Sequence, residues 1–140
     1  MKLKKANDSL EYVKSHPDIF LHYDGVQLHE LATKIVTDVI TSGFFPAVID
    51  RADEWWLVMS PHNWMESEIT VANHDIFSQL IPNPKAGQNA SRNEVVLNAF
   101  ASNVFVSKKG NINLVKGEFE EIPVNKIKAK YSEYYLIAFR

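Results

Sequence analysis

Between residues 28 and 40, Leu28, Leu31, Ala32, Ile35, Val36, Val39 and Ile40 recur at intervals of three and four, with His29, Glu30, Thr33, Lys34, Thr37 and Asp38 between them. This period sets one apolar stripe against a polar face and predicts a helix over 28–42 that packs on a core. Glu30 and Lys34 add an i,i+4 pair in the favourable order. Gly43 stands where a helix-ending glycine belongs. Leu3, Ala6, Leu10 and Val13 predict a shorter helix over residues 5–15, stopped by Pro17. The apolar run Ile19 to Tyr23 reads as extended chain or loop. Asp24 and Gln27 have the spacing of a capping box, although Gly25 fits a plain turn equally well.

Beyond Gly43 the period changes. Phe44 to Ile49 and Trp55 to Met59 are strand-like, and the polar residues 50–54 between them predict a hairpin loop. Both runs are apolar at odd and even positions, as in strands covered on two faces, or covered on one with a functional aromatic on the other. Pro46 puts the first of them at an edge or a bulge. Residues 60–64 read as a turn and 66–72 as a half-buried strand. Asn73 caps a short helix carrying Ile76, Phe77, Leu80 and Ile81, which Pro82 ends, and 82–90 is a polar loop. Ser91 and Glu94 repeat the capping-box spacing before residues 94–103, which suit a helix or, from their β-branched content, a strand. Residues 104–106 and 112–115 flank a turn at Lys108 to Asn111, residues 119–122 form a further short strand, and 134–139 a buried strand. The 124–131 segment fits either helix or strand. The sum is an α+β fold: a single domain over 1–140, with an antiparallel sheet of five or six strands packed against two to four helices.

Composition narrows the classes without naming a chemistry. The 140 residues are 46 % hydrophobic and 23 % charged with a net charge of −2, the profile of an ordinary globular chain and not of a disordered or collagen-like one. There are no cysteines, so disulfides, thiolate nucleophiles and zinc–thiolate sites are excluded. The basic start Met1 to Lys5 lacks a following apolar stretch and reads as no secretory signal. With no long apolar window, no membrane span is expected, and a cytoplasmic location is. The glycosylation patterns at Asn7 and Asn89 read as chance in that setting.

No nucleotide-binding loop, nucleophile elbow or calcium loop is present. His29 and Glu30 begin like a zincin helix, but Thr33 stands in place of the second histidine. No cofactor, no metal site and no catalytic residue are assigned. Histidines next to carboxylates, such as His22 near Asp24, are candidate bases, yet turn and helix-start histidines usually cap or face solvent. Charge is uneven along the chain: +3 over residues 1–5, −9 over 6–75 and +4 over 76–140.

The preferred expectation is a non-catalytic binding module, inhibitor- or immunity-like, that docks a protein partner. Trp55 and Trp56 on a strand point to opposite faces, so one indole is expected outward. Trp56 and Trp64 are the candidate anchors, with Asp53 and Glu54 as steering charges. The alternative is a small-molecule pocket or modest enzyme, a cone lined by Phe45, Trp55, Tyr134 and Phe139 with His62 or His22 as acid/base. Third stands nucleic-acid binding by Lys126, Lys128 and Lys130, which share a face only if extended; a charged edge strand or solvated helix face accounts for them better, so nucleic acid is not an expected partner. Homodimerisation through an edge strand remains compatible with this pattern.

Overall fold

The computed structural model describes residues 6–22, 24–66, 76–83, 85 and 90–140, and of residues 6–8 and 66 the backbone only. The chain enters through three helices, α1 (Ala6–Ser15), α2 (Pro17–Phe20) and α3 (Leu28–Thr41), and then forms a hairpin of β1 (Val48–Ala52) and β2 (Trp55–Ser60). A single 3-10 turn at Trp64–Glu66 and helix α4 (Glu94–Phe100) lead to a second hairpin, β3 (Val104–Lys108) and β4 (Asn111–Lys116). Helix α5 (Glu121–Lys130) and strand β5 (Tyr135–Phe139) close it. The five strands make one open antiparallel sheet in the order β1-β2-β5-β3-β4. This is an α+β fold, with five helices among the described residues against the two to four that the sequence pattern predicts.

The two-residue period of the strands divides the core in two. Val58, Val104, Val106, Ile137 and Phe139 point to one face and pack against Val13 of α1, Leu31, Ile35 and Val39 of α3, and Val95 to Leu97 of α4. Trp55, Leu57, Met59, Phe105, Leu136 and Ala138 point to the other, where Val124 and Ile127 of α5 and Tyr131 just after it cover them. The sheet is thus sandwiched between two helical layers, which explains why β2, β3 and β5 are apolar on both faces.

Several boundaries differ from the sequence pattern. Pro17 does not simply stop a helix; it opens the short α2 at its first position, where its missing N–H costs nothing. The first hairpin is tighter than expected: β1 runs on to Ala52, which pairs with Trp55, and only Asp53 and Glu54 form the turn, with Asp53 at φ 55°. Strand β1 starts at Val48, after Pro46. At Ser91 and Glu94 there is no capping box, because the Glu94 side chain is bound by Arg92. Residues 76–79 form a turn and bend rather than a regular helix, and of residues 119–122 the first two precede α5 and the last two open it, with no strand. The strand expected over 66–72 and the cap at Asn73 fall outside the described residues, except Glu66 at the end of the 3-10 turn. The β3–β4 hairpin is as expected, turning on Lys109 and Gly110, both at positive φ. At Gly117, φ 86°, a Cβ would also lie 2.9 Å from the Ser102 carbonyl oxygen.

Ile137 is fully buried at the centre of the sheet, on the strand held from both sides. Ile137→Ala is expected to cost about 2–5 kcal/mol, read as a lowered urea midpoint with an unchanged slope.

Candidate functional site

Because both faces of the sheet are covered, candidate sites lie at its rim. The β1–β2 hairpin carries most of the residues singled out in the sequence. Arg51 pairs with Trp56 across the hairpin, and its guanidinium sits 4.2 Å from the indole centroid. Trp56 is half-buried against the α3 layer, whereas Trp55, one residue earlier, is buried on the α5 side, edge-on to Phe105 at 5.1 Å. Asp53 and Glu54 are exposed at the turn. The expectation of an outward Trp64 does not hold. Its side chain is 1 % exposed, it belongs to the larger core cluster, and its indole Nε1 is buried with no hydrogen-bond partner among the described residues. Trp64 therefore leaves the set of surface anchors, and Trp56, Asp53 and Glu54 remain.

The cone-like pocket is not formed. Strand alternation sends Trp55 to the α5 face and Phe139 to the opposite one. Tyr134 packs with the α5 cluster, and Phe45 is 60 % exposed before β1. The two candidate histidines are also separated. The amide and ring Nδ1 of His22 lie 2.8 and 3.1 Å from Glu30 Oε2, in the first turn of α3. The His62 amide donates to Ser60 Oγ at 3.2 Å, and its ring lies beside Phe44, past the other end of that helix. Fourteen residues of α-helix, about 21 Å, stand between the two positions. Burial pushes the Glu30 carboxyl up, but the His22 amide and ring and the Lys34 ammonium outweigh it and leave it below its usual value. Among the described residues no group of acidic or histidine side chains is arranged to hold a metal ion, and no helix is long and apolar enough to cross a membrane.

A groove separates the hairpin from α5. One cleft, about 160 Å³, is lined by Ala52, Asp53, Pro123, Lys126, Ile127, Lys130 and Tyr131. A second, about 270 Å³, adds Glu54, Trp55, Glu120, Ile122 and Arg140. They share Asp53, Pro123 and Lys126, and so adjoin. Two polar ties span the groove. The Tyr131 hydroxyl donates to Asp50 Oδ2 on β1, which holds the Asp50 carboxyl below its usual value; burial first, then Asp50, pushes the phenol up. Arg140 donates to Glu54 Oε2 at 2.9 Å and to Glu120 Oε1, and its guanidinium lies 5.0 Å from the Trp55 indole centroid. The sequence carried no signal for either tie, since Asp50 and Tyr131 are 81 residues apart.

The lysine stripe is dismantled by helix geometry. In α5, Lys126 and Lys130 lie four residues apart on the side facing the groove, while Lys128 points towards the β3–β4 turn, with its Cε 3.8 Å from where a Cβ on Gly110 would be. An extended phosphate-binding stripe is not present.

A second polar cluster is internal. Arg92 and Glu94 form a two-pronged buried pair at 3.1 and 2.8 Å. On α3, the Asp38 carboxylate accepts the Asn93 backbone N–H at 2.6 Å and its side-chain amide at 2.9 Å, tying α3 to the start of α4. Burial, and then the nearby Glu94 carboxylate, push the Asp38 pKa up to about 7, against the Asn93 bonds and Arg92. Comparison with models of known families, with curated proteins and with solved structures gives no match for this chain.

The Asp38 shift has a stability consequence. The folded protein holds this proton in a range where the unfolded chain, with an ordinary aspartate value of 3.8, has released it. The contribution of Asp38 to stability is therefore expected to fall as pH rises from 3.8 towards about 7. Asp38→Asn removes that proton, and chemical denaturation over this range is expected to show a flatter pH profile than the parent.

Proposed function

We propose that this protein is a small non-catalytic accessory module, inhibitor- or immunity-like, that docks a protein partner through the β1–β2 hairpin and acts in the cytoplasm. The observation that carries the reading is the run of apolar exposure leading into β1: Phe45 is 60 %, Val48 40 % and Ile49 39 % exposed. Isolated surface apolar groups are ordinary, but three within five residues, next to a half-buried tryptophan stacked by an arginine, resemble the composition of binding hot spots. Asp53 and Glu54 at the turn supply charge that orients an approaching partner and sets its association rate more than its affinity.

A small-molecule role ranks second. It is favoured by the 270 Å³ cleft beside Trp55, just under the usual range for ligand pockets. Against it, the Arg140 guanidinium there is already bound by two carboxylates.

The test is capture from the lysate of the source cell by the immobilised full chain, quantified by mass spectrometry. Trp56→Ala is expected to cut retention of the specific partner by about tenfold, the scale of a single anchor residue. Asp53→Lys with Glu54→Lys is expected to change the association rate with a smaller effect on release. Equal retention by the parent and both variants would overturn the reading.

A further inference from the structure

Resting on the docking reading above, we infer that β1 and the flank of α5 together take an extended peptide segment of the partner, added as a sixth strand, in which apolar and acidic residues alternate along each of its two faces. Strand β1 is an end of the sheet, and among the described residues it pairs with β2 alone. Its outer edge faces no further strand, and of its outward groups the Arg51 N–H donates to Asp50 Oδ1 at 2.8 Å, a bond that an incoming strand would replace. The opposite end, β4, is less suited. Its pairing with β3 shifts register at Val104 and Phe105, and Lys116 is drawn inward to the end of α4, where its ammonium donates to the Asn98 carbonyl at 2.9 Å.

The chemistry of the segment follows from what flanks β1. Val48, Asp50 and Ala52 face the α5 side, because they pair with Met59, Leu57 and Trp55. Past Ala52 the 160 Å³ cleft offers Pro123 and Ile127 as apolar walls, with two lysines, Lys126 and Lys130, against one carboxylate, Asp53, also lining it. The opposite face of β1 presents Ile49, 39 % exposed, and Arg51. Each side of an incoming strand therefore meets one apolar and at least one basic partner. The acidic group within β1, Asp50, is occupied by the Tyr131 hydroxyl. Apolar side chains of the segment fill the cleft and cover Ile49, and its carboxylates face Lys126, Lys130 and Arg51. Main-chain bonds supply affinity, and these side-chain positions supply selection.

The probe is a blocked octapeptide of two Val-Val-Glu-Glu repeats, titrated into isotope-labelled full chain and followed by amide NMR. Saturable shifts are expected over residues 48–52 and 126–131. Two further peptides carry N-methyl groups on one or the other set of alternate residues. One is expected to lose at least about tenfold in affinity and the other to bind, because only one set bonds to β1. Lys126→Glu is expected to weaken binding by about threefold or more. No response at β1, shifts confined to β4, or equal binding by both N-methylated peptides would overturn the inference. So would a dimer of the chain, measured by sedimentation and lost on Ile49→Lys, which would assign the edge to a second copy. If Trp56→Ala abolishes partner capture while β1 stays silent to the peptide, docking stands and strand addition falls.

Discussion

The fold depends on the C-terminal strand lying in the middle of the sheet. β5 bonds to β2 on one side and β3 on the other, so neither hairpin belongs to a continuous sheet without it. Arg140 extends the seam past the strand: its N–H donates to the Asn103 carbonyl at 3.0 Å, and its own carbonyl accepts from Ser102 and Asn103. Its side chain then ties the β1–β2 turn, through Glu54, to the start of α5, through Glu120. Residues far apart in sequence are thereby made neighbours, and the alternation of Leu136, Ile137, Ala138 and Phe139 decides which layer each hairpin side chain meets.

What was legible in the sequence follows this division. Helix α3 declares itself because a one-sided stripe sustained over 14 residues matches the helical period and breaks the two-residue alternation of a strand. The two-sided apolarity of Trp55 to Met59 goes with cover on both faces, but that of Phe44 to Ile49 does not: only Val48 and Ile49 of that run join a strand, and both, with Phe45, are exposed at the edge. Local turn chemistry is read less well. Asp53 adopts a positive φ that the sequence Ala-Asp-Glu-Trp does not advertise, so the hairpin is two residues tight instead of five long. The capping spacing at Ser91 and Glu94 misleads because tertiary pairing overrides it: Glu94 is fully buried against Arg92, and the α4 start is bound by Asp38 from another helix.

The candidate site was legible only in part. That Trp55 and Trp56 diverge follows from strand geometry alone. Which of the two meets solvent does not, because it depends on where α5 comes to rest. Trp64 misled for a related reason: a tryptophan in a turn reads as accessible, yet it is enclosed by contacts distant in sequence, among them Arg92, whose Nη2 reaches its carbonyl at 3.4 Å. The groove itself is a product of packing. It lies between a hairpin and a helix separated by some seventy residues of chain, and its two ties could not be inferred from either segment alone.

Covering both faces of a sheet leaves the rim as the surface where backbone groups remain free, and the two ends of this rim are treated differently. At β4 the strand is bulged, carries asparagines at 111 and 113, and commits its lysine to the α4 terminus, features that blunt an edge. At β1 Val48 and Ile49 stay exposed, and the charged groups present, Asp50 and Arg51, are turned onto Tyr131 and Trp56 of the same molecule. An edge left apolar in a chain that blunts its other edge carries an aggregation risk. That risk is offset if a partner occupies the strand, as the proposed docking at β1 and the flank of α5 would have it.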